Sequence, residues 1–155
     1  MKVNLGCGQL PLDGYHNVDA FCAEADEHAD VFLLDDTHWQ DLDEIRMDHM
    51  LEHVGFAAGG ELLRKCRCWL RDEGMLVVEV PDMAEIMRRG TVHPWEAYVY
   101  GAQSHPGEFH LSGYHAESLR WTLEQWGYHV TSVDTFLSDN PNRPGMPCLK
   151  ATAVA

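Results

Sequence analysis

Three groups of residues in this chain have the types and spacing to do chemistry. The first is Gly6-Cys7-Gly8, which follows directly on the apolar run Lys2–Leu5. Glycine lets a backbone turn sharply and approach a ligand closely, so a strand that runs into such a turn can present its N–H groups. Ligands of open α/β sheets bind at the carboxyl ends of strands, near the switch in strand order. Asp19 stands eleven residues after Gly8, where a carboxylate can accept both hydroxyls of a ribose. The glycines do not complete a dinucleotide fingerprint, because Pro11 occupies the place of its third glycine. The second group is histidine, ten in all. An imidazole of ordinary pKa, about 6.5, can take a proton from a hydroxyl or amine nucleophile. His105, His110 and His115 recur every five residues, a spacing that converges on neither a helix face nor a strand face. No carboxylate or cysteine pattern completes that set, so no metal is expected. The third group is the cysteines. Cys66-x-Cys68 falls in a helical pattern, where residues two apart do not share a face, and makes a poor zinc clip.

The elements that must position these residues alternate short apolar runs with helical patterns, which predicts an α/β fold with a mainly parallel sheet. Strands are expected at Lys2–Leu5, His16–Asp19, Asp30–Leu34 and Glu44–Asp48. Over residues 57–71, Leu62, Leu63, Cys66, Trp69 and Leu70 make one apolar stripe, with Arg64, Lys65, Arg67 and Arg71 off it. Gly74 ends that helix and Met75–Val80 reads as a strand, closed by Pro81-Asp82. A short helix (Met83–Arg89) leads into residues 90–115, which carry Gly, Pro, His and aromatics without periodicity. A stretch of that kind is a lid or binding loop more often than filler, and Trp95, Tyr98, Tyr100, Phe109 and Tyr114 are its apolar candidates. Glu117–Trp126 returns to helix, stopped by Gly127, and Tyr128–Phe136 and Cys148–Val154 are the final strands. No repeat or linker divides residues 1–155, so one domain is expected.

Composition narrows the partners. The chain has 155 residues, 11 Lys+Arg against 25 Asp+Glu and a formal net charge of −14. Residues 1–45 hold one base, Lys2, and eleven acids. Such a surface repels phosphate backbones, so no nucleic-acid partner is expected. No apolar run suits a signal peptide or a membrane span. The five cysteines (Cys7, Cys22, Cys66, Cys68, Cys148) make an odd number without a disulfide framework, and the expectation is a reduced, cytoplasmic protein away from membranes.

Several short motifs occur in a fixed order: Val3-Asn4-Leu5-Gly6-Cys7-Gly8, Gly14-Tyr15-His16-Asn17-Val18-Asp19, His49-Met50-Leu51-Glu52-His53, and Gly74-Met75-Leu76-Val77-Val78-Glu79-Val80-Pro81-Asp82. Together they resemble the class I S-adenosylmethionine-dependent methyltransferases, in particular a compact, type-11-like branch. The resemblance continues through Tyr100-Gly101-x-Gln103, His110, Gly113 and Glu117-Ser118-Leu119 to Trp126-Gly127-Tyr128, and so covers nearly the whole chain. It implies a Rossmann-like sheet, mostly parallel with an antiparallel final strand, and S-adenosylmethionine as cofactor. Gly6, Cys7 and Gly8 would wrap the methionine part and Asp19 the ribose. Asp35 or Asp36 would lie beside the adenine, and His49 and Met50 nearest the transferable methyl. His53, His110 and His49 are the candidate bases. Glu52 has the alternative of capping the helix that starts near Ala57. The family's Gly-Gly before the fifth strand is reduced here to Glu73-Gly74.

Two departures shape the expectation further. Only Gln9–Tyr15 separates the first two strands, fewer residues than a parallel crossover normally needs. Glu44, Arg46 and Asp48 share one face of a strand, with Lys2 and Asn4 on another, whereas a strand covered on both faces should be apolar on both. One sheet face is therefore expected to lack helical cover, and to be solvated or docked in a homodimer. The expected function is methyl transfer to a small molecule, a glycan or a protein group; the alternative is a non-catalytic module that keeps the fold and binds a partner.

Overall fold

A computed structural model of the chain describes residues 1–89, 95–104, 106–141 and 143–155. The elements are β1 (Lys2–Leu5), β2 (His16–Val18), β3 (Leu42–Asp48), α1 (Phe56–Trp69), β4 (Leu70–Pro81), α2 (Met83–Arg89), α3 (Trp95–Tyr100), α4 (Ala116–Gln125), β5 (His129–Leu137) and β6 (Pro147–Val154), with 3-10 turns at Leu51–His53 and Pro106–Glu108. One six-stranded sheet runs in the order β2-β1-β3-β4-β6-β5. Strands β1 to β4 pair in parallel, and β6 is antiparallel to both β4 and β5. The order reverses beside β1, which puts the carboxyl ends of β1, β2 and β3 side by side at the switch point.

Alternation along each strand sorts the sheet into two unlike faces. In register, Val3 lies beside Ile45, Ile45 beside Leu76 and Leu76 beside Ala153; Met47, Val78 and Ala151 form the next row. These side chains are fully buried and form one cluster with Leu62, Leu63, Cys66 and Trp69 of α1 and with Leu119 and Leu123 of α4. Both long helices therefore cover one face. The other face carries Lys2 beside Glu44, Asn4 beside Arg46, Asp48 beside Glu79 and Glu79 beside Lys150. Its charges pair with one another: Lys2 with Glu44 at 2.8 Å, Arg46 with Asp48 at 2.7 Å and with Glu79 at 3.6 Å. The short 9–15 connection crosses this face in place of a helix, with the Tyr15 hydroxyl on Glu44 and the Lys2 ammonium over the Tyr15 ring. The expected loss of helical cover is present, and it follows from polar residues at alternate positions.

The expected strand at Asp30–Leu34 is absent. The Asp30 carboxylate accepts the Phe32 N–H at 2.9 Å and its carbonyl accepts the Leu33 N–H, so the side chain folds the segment into a turn. Pairing beside β2 is confined to a single bridge between Val18 and Glu27. Strand β4 begins earlier than the apolar run suggested. Leu70 already pairs with Leu42, and a shift in register separates that pair from Glu44 and Met75. Glu73 sits at φ 61° in this bulge. A side chain on Gly74 would come within 2.8 Å of the Leu42 carbonyl and 2.9 Å of the Arg71 carbonyl. One glycine of the family's pair is thus sterically required, and glutamate occupies the strained place of the other. Within 90–115 a helix of six residues, α3, is too short to show a stripe; residues 90–94 and 105 lie outside the described ones. None of the described helices is long and apolar enough to cross a membrane.

Candidate active site at the carboxyl ends of the strands

The turn after β1 is built by positive backbone angles, φ 68° at Gly6 and 51° at Gly8, which cost an L side chain roughly 1–2 kcal/mol. The Gly6 and Cys7 N–H groups donate to the Val18 carbonyl, and the Gly8 N–H donates to Asp19 Oδ2 at 3.0 Å. Asp19 Oδ1 accepts the N–H groups of Phe21 (2.7 Å) and Cys22 (2.9 Å). A carboxylate offers about four lone-pair directions, so a half-exposed Asp19 that holds three amides retains one. Met50 lies across Gly6: a Cβ there would meet its Cγ at 2.5 Å, whereas one on Gly8 would meet open space. Gly6, Gly8, Asp19 and Met50 thus come together. The Cys7 thiol turns inward beside Cys22, and burial above all pushes its pKa up to about 12, leaving only its backbone to the turn.

Asp35 and Asp36 are tied elsewhere. Asp35 Oδ1 accepts both the N–H and the hydroxyl of Thr37, while its carbonyl takes the Trp69 indole N–H. Both Asp36 oxygens are held by Arg64 of α1. Their carboxylates are thus engaged by Thr37 and by the Arg64 guanidinium rather than by the glycine turn.

His49 closes β3 in the left-handed region, φ 56°, with its N–H on the Glu79 carbonyl. Such strain in a non-glycine residue persists only where surroundings impose it. Its ring is 3.0 Å from Glu52 Oε1 through Nδ1, and through Nε2 it is 3.5 Å from Glu79 and 3.7 Å from Cys148 Sγ. Burial opposes charge on this ring, but its bonds to Cys148, Glu52 and Glu79 outweigh that and raise its pKa to about 11. His49 is therefore held as an imidazolium between two carboxylates, a state in which it has no lone pair to offer as a base. Glu52 is buried, 1% exposed, and despite that burial the His49 bond keeps it ionised. It does not cap α1, whose N-cap Gly55 has no side-chain bond. Its Oε2 has no hydrogen-bond partner among the described residues.

Glu52 lies under a shallow surface depression with Pro81, Met83, His110, Ser112, Gly113 and Tyr114. The far wall is fastened to the 51–53 turn: the Leu111 and Ser112 N–H groups donate to the Glu52 carbonyl, and the Ser112 hydroxyl to that of Leu51. His53 and His110 meet edge to face, ring centres 4.7 Å apart. His53 Nδ1 bonds the Phe109 carbonyl at 3.2 Å and His110 Nδ1 the Tyr98 carbonyl at 3.0 Å. A carbonyl only accepts, so both Nδ1 atoms carry the proton and, in the neutral rings, both Nε2 atoms keep a lone pair. Burial holds His110 below the ordinary histidine value, the Glu52 charge only partly offsetting it.

Of the evenly spaced histidines, His110 joins Glu52 and His53 rather than its neighbours in sequence; His115 caps α4 with Ser118, and His105 lies outside the described residues. Tyr114, a lid candidate, is buried in the core cluster against Phe56. Glu79 and Cys148 were not singled out by sequence. Glu79 is the lone acid in the apolar run Met75–Val80, which is a usable signal; Cys148 lies 99 residues from His49 and gives none.

No family model matches the chain, and no curated protein matches its sequence. Solved structures do match in shape. A S-adenosylmethionine-dependent methyltransferase from Archaeoglobus fulgidus superposes with a TM-score of 0.67 at 16% identity, covering 99% of this chain and 85% of the other. The 1,6-didemethyltoxoflavin-N1-methyltransferase of Burkholderia thailandensis, solved with S-adenosylhomocysteine, gives 0.67 at 16% identity over 99% and 69% of the two chains. A S-adenosylmethionine-dependent methyltransferase from Methanosarcina mazei gives 0.67 at 10% over 99% and 91%. The chain has the fold of the class I methyltransferases, a mostly parallel Rossmann-like sheet with an antiparallel strand, here covered by long helices on one face.

Proposed function

We propose that this protein is a S-adenosylmethionine-dependent methyltransferase acting on a small molecule, a glycan or a protein group. The observation that carries the reading is the meeting of the Gly6–Gly8 turn, Asp19 and Met50 at adjacent strand ends, one turn of chain away from the cluster of Glu52, His53 and His110. The residues suit the cofactor: space is open above Gly8, Asp19 retains an acceptor for a ribose hydroxyl, and Met50 offers a soft apolar surface to a sulfonium. When bound, the cofactor supplies an electrophilic methyl on positively charged sulfur.

The chain's own residues supply orientation and proton handling. The turn and Asp19 fix the cofactor's ribose end, which converts a bimolecular encounter into an oriented one. The acceptor, an O–H or N–H group, would approach His53 and His110 from the surface above the depression. The acceptor's proton would pass to Nε2 of His53 or His110, the ring nitrogen that their bonds to the Phe109 and Tyr98 carbonyls leave free. Glu52, held by His49, stabilises the imidazolium that results.

Thermal shift with S-adenosylmethionine and S-adenosylhomocysteine tests the reading. A ligand present at 100 times its Kd stabilises by about 2.7 kcal/mol, and Asp19→Ala should abolish the increment. No increment, or one that survives Asp19→Ala, overturns it. A second reading, a non-catalytic module of this fold, is favoured by one observation: all three N–H groups of the turn already bond within the chain. Cofactor binding without turnover on any acceptor class would support that reading.

A further inference from the structure

We infer that Glu52, His53 and His110 form a binding site for a divalent transition-metal ion. One donor atom from each of the three lies within 4.8 Å of the other two, so that small side-chain rotations would bring all three onto a single ion. The protonation pattern is the stronger argument. Both imidazoles spend their Nδ1 proton on a backbone carbonyl, Phe109 for His53 and Tyr98 for His110, which is the outer bond that orients most metal-binding histidines. Glu52 spends Oε1 on His49. What remains is two Nε2 lone pairs and one buried carboxylate oxygen, Oε2, with no donor facing it among the described residues. With both rings neutral, three acceptors gathered in this way are satisfied by a cation.

Two imidazole nitrogens and a carboxylate oxygen suit zinc, cobalt, iron or manganese in the divalent state. The other histidine-bearing cluster among the described residues, His49, Glu79 and Cys148, is poorer, since both His49 nitrogens are already engaged. With an ion in place His53 and His110 are ligands, so the proton-accepting role proposed above belongs to the metal-free protein. The inference does not rest on the cofactor reading, because the three donors converge whether or not the glycine turn holds a ligand.

Titration of the cofactor-free protein with cobalt(II), followed by visible absorption, tests it. We expect one equivalent of cobalt to produce a d–d band, displaced by zinc, with no thiolate charge-transfer band in the near ultraviolet. His53→Gln and His110→Gln should each weaken binding by more than the roughly 10–100-fold lost when an outer partner is removed. His129→Gln, on the exposed end of β5, should bind as the parent does. Circular dichroism checks each variant; if His110→Gln fails to fold, His53→Gln decides, its ring being partly exposed. Absence of the band, unaltered affinity in a folded His53→Gln, or a charge-transfer band removed by Cys148→Ser would each overturn the inference.

Discussion

Asp19 is expected to hold the glycine turn in place before any ligand arrives, and this can be measured in the free protein. Its carboxylate accepts three amides, those of Gly8, Phe21 and Cys22 at 3.0, 2.7 and 2.9 Å. A hydrogen bond to a charged group contributes roughly 1.5–3 kcal/mol when removed from water. Asp19 is half-exposed, so water recovers much of that on truncation, and about 2–3 kcal/mol in total is a reasonable loss for Asp19→Ala. Asp19→Asn separates the contributions. Its remaining oxygen can keep Phe21 and Cys22, but its amide then faces the Gly8 N–H, donor against donor, for about 1–1.5 kcal/mol. Urea unfolding followed by tryptophan fluorescence, without ligand, reads both values; in thermal melts each kcal/mol corresponds to roughly 2–4 °C for a chain of this size. The order parent, Asn, Ala is required. If Asp19→Asn unfolds at the same urea concentration as the parent, the carboxylate does not tie the turn and the account of the loop is wrong.

Further outcomes follow from the same geometry. Substitutions at neighbouring bulge residues should act in opposite directions: Gly74→Ala forces a Cβ onto two backbone carbonyls and should cost about 1–3 kcal/mol, whereas Glu73→Gly relieves a left-handed residue and should gain up to about 1 kcal/mol after the added chain entropy. Equal effects of the two in urea unfolding would refute the bulge assignment. Brief iodoacetamide treatment at neutral pH should label Cys68 alone, because it is exposed while Cys7 is buried with its thiol pushed up to about 12; peptide mapping that finds Cys7 modified as fast would contradict its inward placement. The Glu85 carboxyl, bonded by Arg88 and Arg89, is lowered to about 2. Because its folded pKa is depressed, its contribution is present above the ordinary value of 4.5 and is lost as pH falls toward 2. A carbon-13 titration of Glu85 with a midpoint near 4.5 would count against those ion pairs.

Periodicity carried most of the fold. Leu62, Leu63, Cys66 and Trp69 read as one stripe and do pack on one sheet face, and the polar alternation of Glu44, Arg46 and Asp48 marked the face without a helix. Asp30–Leu34 misled because an apolar run looks like a strand whether or not a neighbour pairs with it, and the Asp30 side chain closes a turn instead. At the site, Gly6, Gly8, Asp19 and Met50 were legible because they lie at strand ends that the motifs delimit. The Asp36–Arg64 pair was hidden, since a salt bridge between a loop and a helix leaves no pattern in sequence. So was the convergence of His110 with Glu52 and His53. It depends on backbone bonds from Leu111 and Ser112 to Glu52, a contact across more than fifty residues that no spacing rule encodes.

The central claim is that a S-adenosyl ligand sits on the turn between β1 and β2. An amide nitrogen–proton correlation spectrum recorded with increasing S-adenosylhomocysteine tests it most directly. Saturable shifts centred on Gly6, Cys7, Gly8, Asp19 and Met50 are expected, and should be lost in Asp19→Ala. Shifts that centre elsewhere, or a spectrum unchanged at millimolar ligand, would contradict it.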